Sequence, residues 1–253
     1  MIRIAAVGDI HMGHDSRGLW APHLRNLARE ADVLLLAGDL TRGGGVDEAE
    51  VLAEELRAAP VPTIAVLGNH DYHGDAATRI EELLTEVGVQ VLEGNGTVVE
   101  AGGARIGIAG TKGFGGGFAG ACGSDFGEPE MKAFIRHTQL LADRLQQALA
   151  DLRADVRVAL LHYSPIPATL QGERLEIYPF LGSYLLAEAI DRGGADLVVH
   201  GHAHGGSERG VTPAGIRVRN VAQPVIRSAY RVYCFGDGGL ACDEPAGAPA
   251  PGA

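Results

Sequence analysis

Three apolar runs, IRIAAV (2–7), DVLLLA (32–37) and PTIAVL (62–67), alternate with stretches near 20–30, 47–58 and 75–87 whose apolar residues recur at helical spacing. Runs this short, rich in Ile, Val and Leu and closed by glycine, read as strands covered on both faces. Two strands joined by a helix pair in parallel, because an antiparallel pair needs only a tight turn whereas a parallel one needs a crossover of a dozen residues or more. The alternation therefore predicts βαβ units. VQVL (89–92), GTVVEAG (96–102) and ARIGIAG (104–110) then follow too closely for helices between them, so the sheet is expected to turn mixed or antiparallel there. A second βα pattern comes after: a long helix over 129–151, the run VRVALL (156–161), a helix near 182–192 and DLVV (196–199). GVTPAGIRVRNVA (210–222) reads as a hairpin turning at PAG, and YRVYCF (230–235) as a last strand. The fold class expected is α/β, with two sheets and helices outside.

Composition narrows the functional classes. At 253 residues the chain suits one large domain, expected over 1–242, with the Pro/Ala/Gly-rich stretch 243–253 as a disordered tail. No apolar run approaches the ~18 residues that span a bilayer, so no membrane association is expected. The N-terminal apolar run is too short for a signal peptide, and the three cysteines, Cys122, Cys234 and Cys242, form no CxxC pair. Neither a disulfide framework nor a zinc ribbon is indicated, and the cytoplasm is the default location. A formal charge of −11 and 5% aromatic residues argue against a nucleic-acid polymer as partner. An anionic substrate would need a local positive centre.

Such a centre is suggested by how the apolar runs end. The first leads into Asp9 and His11, the second into Asp39, the third into Asn69, His70 and Asp71, the run at 156–161 into His162, and DLVV into His202 and His204. In an open α/β sheet the carboxyl ends of parallel strands form one crevice, so residues distant in sequence converge there. Taken singly, a GD after a strand is more often a helix cap, and a lone histidine on an apolar run more often a core residue. The set repeats one chemistry at five strand ends. Imidazole, carboxylate and amide oxygen without thiolate suit manganese, iron, zinc or nickel. Seven candidate ligands exceed what one ion takes; two ions sharing a carboxylate account for Asp9, His11, Asp39, Asn69, His162, His202 and His204. Two metals ~3.5–4 Å apart suit displacement at phosphorus.

These motifs, GDIH, GDL, GNHD, LLHYSP and GHAH, resemble those of the calcineurin-like metallophosphoesterases, over about residues 1 to 236. The resemblance implies a four-layer αββα sandwich of two mixed sheets. It also implies one divalent ion on Asp9, His11, Asp39 and His204, a second on Asp39, Asn69, His162 and His202, and His70 free of metal beside the substrate phosphate. The expected activity is hydrolysis of a small phosphate ester, a diester slightly favoured, by a hydroxide bridging the two ions. His70 would assist the leaving group, and Asp71 would hold its imidazole. A nuclease, or a scaffold that keeps the fold without catalysis, are the alternatives. His200 falls outside both ligand sets.

Residues beyond the motifs read less sharply. His14, Arg17, Arg42, His73 and Asn95 lie in loops that could face the cleft, though solvated loop positions are the plainer reading; His23 and His137 read as helix surface. Tyr163 could line the pocket or only pack. Lys112, Phe114 and Phe118 belong to a glycine-rich stretch (110–128) that could act as a lid or as a passive cover. Its GxGxxG spacing at Gly115, Gly117 and Gly120 is a weak dinucleotide signal, because no helix opens directly after it.

Overall fold

The computed structural model describes residues 1–101, 103–236 and 239–245. In chain order the strands are β1 (Ile2–Val7), β2 (Val33–Ala37), β3 (Thr63–Val66), β4 (Val89–Val91), β5 (Asn95–Ala101), β6 (Ala104–Thr111), β7 (Gly117–Phe118), β8 (Ala121–Cys122), β9 (Val156–Leu161), β10 (Leu197–His200), β11 (Arg209–Val211), β12 (Arg217–Asn220), β13 (Arg231–Gly236) and β14 (Gly239–Pro245). Twelve of them form two six-stranded sheets, ordered β14-β13-β1-β2-β3-β4 and β11-β12-β10-β9-β6-β5. Within the first, β1 to β4 run parallel, β13 pairs antiparallel with β1, and β14 pairs antiparallel with β13. Within the second, β6, β9, β10 and β12 are parallel, with β5 and β11 antiparallel at the edges. Both sheets are mixed, as expected, and the crossing from one to the other falls between Val91 and Asn95, where the sequence leaves no room for a helix.

Side-chain alternation along each strand builds the layers. Ile4, Val33, Leu35, Ile64 and Val66 of the first sheet meet Ile106, Ile108, Val158, Leu160 and Val199 of the second in a dry core between the sheets. On the outer face of the first, Ala5, Leu34, Leu36 and Ala65 pack against Leu24, Leu52, Leu56 and Leu84 of flanking helices. Outside the second, Ala159, Leu161 and Val198 meet Leu145, Leu149 and Ile190. The result is the αββα sandwich. Those helices include Val46–Leu56, Ala77–Glu86, Pro129–Asp151 and Tyr184–Gly193; the helix expected over 20–30 is two short ones, Ala21–Leu24 and Leu27–Glu30, interrupted at Asn26, a residue type of low helix propensity.

The last strand takes in residues 243–245, which composition assigned to the tail, and 246–253 lie outside the described residues. Cys234 is disulfide-bonded, which corrects the expectation that cysteine spacing gave, while Cys122 is free. Among the described residues no helix is long and apolar enough to cross a membrane.

Because Leu35 is fully buried between two sheets that cannot collapse independently, Leu35→Ala is expected to lower unfolding free energy by about 2–5 kcal/mol, read from urea denaturation monitored by circular dichroism.

Candidate metal centre

Every candidate ligand lies within four residues of the C-terminal end of a parallel strand: Asp9 and His11 after β1, Asp39 after β2, Asn69 after β3, His162 after β9, His202 and His204 after β10. The chain turns sharply to put them there. Asp9 (φ 57°), His11 (43°), Asp39 (51°) and His202 (71°) adopt left-handed backbone, shared among the described non-glycine residues only with Asp75 and Arg227. Each such residue costs of order 1–3 kcal/mol and persists only where its surroundings hold it. Here backbone bonds between the loops do so: Asp9 N donates to Gly38 O (2.8 Å), His11 N to Asp39 O (3.1 Å) and Met12 N to Leu40 O (2.9 Å). Two glycines make the approach possible. A Cβ on Gly38, itself at φ 80°, would lie 2.6 Å from His162 Nδ1, and one on Gly68 would collide with the Asp39 carboxylate and amide.

The ligand atoms gather in two groups. Asp9, His11, Asp39 and His204 form one and Asp39, His162 and His202 the other, the atoms of each lying within 4.8 Å of one another, so Asp39 belongs to both. In the first, His204 Nε2 is 2.9 Å from Asp9 Oδ1 and 3.5 Å from His11 Nε2, and His11 Nε2 is 4.0 Å from Asp39 Oδ2. In the second, His162 Nε2 lies 3.3 Å from Asp39 Oδ1 and 3.0 Å from Asn69 Oδ1, which brings the amide oxygen to the same point. Asp9 also ties the sheets together by accepting from His202 N at 2.9 Å, while Asp39 Oδ1 accepts from His70 N at 2.8 Å.

Carbonyl oxygens can only accept, so they settle which ring nitrogen carries hydrogen. His162 faces an acceptor on each side, Ala37 O 2.9 Å from Nδ1 and Asn69 Oδ1 3.0 Å from Nε2; as a metal ligand it would donate Nδ1–H to Ala37 O and turn the Nε2 lone pair to the centre. His202 donates Nε2–H to Phe180 O (3.2 Å), leaving Nδ1. His70 donates Nδ1–H to Arg42 O (2.7 Å), with Nε2 turned to within 3.9 Å of Asp39 Oδ2. Such outer bonds orient ligands and fix the tautomer. Burial pushes His11 down to about 4 and His202 to about 3, and holds His162 well below the usual imidazole range. Neutral imidazole is the form a metal needs. His204 is raised instead, by its hydrogen bond to Asp9. Burial lifts Asp9 to about 6, an acid withdrawn from water with Asp39 beside it. Carboxylates and neutral imidazoles packed this closely fit divalent cations.

The sequence model of the calcineurin-like phosphoesterases matches residues 2–206. The chain belongs to that family. No curated protein sequence matches this chain. Among solved structures it is similar to a phosphopantetheinyl hydrolase from Mycobacterium tuberculosis (TM-score 0.64, 18% identity, covering 87% of this chain and 88% of that one). It is also similar to a protein of Thermus thermophilus (0.53, 17%, 91% and 93%) and to a sulfate thiohydrolase of the same organism (0.54, 15%, 99% and 57%). At such identities the likeness concerns the fold.

Other residues of the chain fall into place around the centre. Asp71 does not take the role expected of it. Its buried carboxylate accepts from Gly68 N (2.7 Å), Leu40 N (3.1 Å), Thr41 N (2.7 Å) and Thr41 Oγ1 (2.7 Å), which ties the loop after β2 to the loop after β3. The His70 imidazole is held by the Arg42 carbonyl instead, an acceptor every residue type has and no sequence pattern marks. His14 pairs with Asp47, Arg17 with Glu54 and the Arg42 side chain with Asp15, while Asn95 Oδ1 accepts from Glu93 N. Tyr163 is buried with its ring 4.3 Å from that of His202, so it both packs and walls the centre. His200 points away, bonded to Thr169 Oγ1 at 2.8 Å. The glycine-rich stretch is stitched down: Gly116 N donates to Pro179 O, Gly117 N to Gly182 O and Thr138 Oγ1 to Gly115 O. These bonds fasten it to the segment around Pro179 and Gly182. No helix opens before Pro129, so its glycine spacing carries no dinucleotide geometry.

Asp71→Ala leaves its buried donors without an acceptor and is expected to cost roughly 3 kcal/mol or more. Urea unfolding of the metal-free protein measures this, and metal uptake should fall in the same variant because Asp39 and Asn69 lose their common anchor.

Proposed function

We propose that the chain hydrolyses a small phosphate ester, with a diester slightly favoured, using two divalent ions. Asp9, His11, Asp39 and His204 would hold one, and Asp39, Asn69, His162 and His202 the other. The observation that carries this reading is that Asp39 belongs to both groups of ligand atoms. When bound, such a pair of ions acidifies a water and neutralises charge developing on phosphoryl oxygens. The protein supplies the rest. Asp9 and Asp39 provide the negative charge that draws cations into an acidic chain, and the outer carbonyls aim the imidazoles before substrate arrives, so little reorganisation remains for the reaction itself. His70 has Nδ1 committed to Arg42 O and its side chain 45% exposed on the open side of the centre. Its Nε2 is therefore free to carry a proton to the leaving oxygen. The phosphopantetheinyl hydrolase among the similar structures bears a name consistent with an ester substrate.

Manganese-loaded protein should cleave bis(4-nitrophenyl) phosphate, and 4-nitrophenyl phosphate more slowly, with about two ions per chain by mass spectrometry. Asp39→Asn should lose metal and turnover together. His70→Ala should keep its metal while kcat falls by ~10²- to 10⁴-fold. Metal-replete wild type inert toward both esters would sink the assignment, and a His70→Ala variant at full rate would remove His70 from it.

A further inference from the structure

Lys112 follows β6 directly and is anchored by its backbone: its N donates to Glu93 Oε2 (3.1 Å), and its O accepts from His162 N (3.1 Å) and Tyr163 N (2.9 Å). It is thus fastened where His162 leaves its strand. The residue is only 8% exposed, and its Nζ sits 4.8 Å from the ring centre of Phe114, 5.1 Å from that of Tyr72 and 5.4 Å from that of Tyr163. Tyr72 shares the short helix Asn69–His73 with Asn69, and Tyr163 touches the His202 ring. The ammonium therefore stands on the flank of the Asp39, Asn69, His162 and His202 group. Among the described residues no hydrogen bond or ion pair engages it; the Glu93 carboxylate is taken by Thr111 Oγ1 and the Lys112 amide.

The negative faces of three rings stabilise a cation. A methionine would fill the same cage without the cost of withdrawing a charge from water. Glu93 and Asp39 are the carboxylates whose field reaches Lys112, yet neither contacts Nζ, and a charge kept there makes sense if an anionic oxygen of the substrate supplies the direct contact. We propose that Lys112 is a substrate-binding residue that holds a phosphate oxygen of the ester beside the second ion position. This rests on the phosphoesterase reading above. The oxygen belongs either to the phosphate being hydrolysed or to a second phosphate on the same substrate, and the two are separable.

Binding of orthophosphate and of pyrophosphate to the manganese-loaded protein is measured by calorimetry for wild type, Lys112→Met, Lys112→Gln and Lys112→Arg, with metal content and circular dichroism as controls. Loss of a charged hydrogen bond predicts about tenfold to hundredfold weaker binding in the Met and Gln variants, with wild-type metal content and substantial recovery in Lys112→Arg. A rise in KM for bis(4-nitrophenyl) phosphate larger than the fall in kcat should accompany it. Weakening of both probes assigns the oxygen to the reacting phosphate; weakening of pyrophosphate alone assigns it to a second phosphate. A folded Met or Gln variant binding both probes as tightly as wild type overturns the proposal, as does recovery in Lys112→Met but not Lys112→Arg. Wild type that takes up no manganese sinks the metal reading separately; Lys112 is then judged on the same titrations of the metal-free protein, where absence of any binding overturns it too.

Discussion

Two carboxylates held out of water, Asp9 and Asp39, set the terms for the rest of the molecule. Among the described residues neither is paired with lysine or arginine; their neighbours are imidazoles, most of which burial keeps neutral. Negative charge in such surroundings is costly unless a positive partner is supplied. A fold that merely wanted stability would replace these groups with apolar ones. Instead Asp9, Asp39 and two of their neighbours, His11 and His202, accept left-handed backbone that brings these side chains together. Strain and buried charge at one point, held by surrounding hydrogen bonds, are what a preorganised cation site requires.

The sandwich holds that point rigid. The parallel strands of both sheets end at one edge, and loops from the two sheets are cross-bonded there: Gly8 N donates to Val221 O, His162 Nδ1 to Ala37 O and His202 N to Asp9. Asp71 performs the same service between neighbouring loops of the first sheet. Displacing any one loop would therefore strain ligands contributed by another, although the residues of the centre span positions 9 to 204.

Shared fold and shared chemistry rest on different grounds here. Solved structures at 14–18% identity share the sandwich, and a sandwich can host many reactions. The phosphoesterase assignment leans on particular side chains and on the family to which the chain belongs. The walls of the cleft add Tyr72, Phe114 and Tyr163, which surround a lysine in a protein otherwise poor in aromatic residues.

Much of this was legible from the chain alone. Hydrophobic periodicity gave the strands, their parallel pairing and the long helix Pro129–Asp151, because burial on two faces or on one leaves a pattern in the order of residues. The same pattern located the strand ends, and with them the ligand side chains. The amino-acid order did not reveal which partner each side chain meets. Asp71 adjoins His70 in sequence yet bonds to the amides of Leu40, Thr41 and Gly68, while the imidazole is held by the carbonyl of Arg42. Nor did it reveal the cage around Lys112, whose rings come from three separate segments. Periodicity is a local property written into the chain by burial, whereas backbone acceptors are common to every residue and ring cages form across distant segments; only the packed structure decides which of them stand within hydrogen-bonding reach.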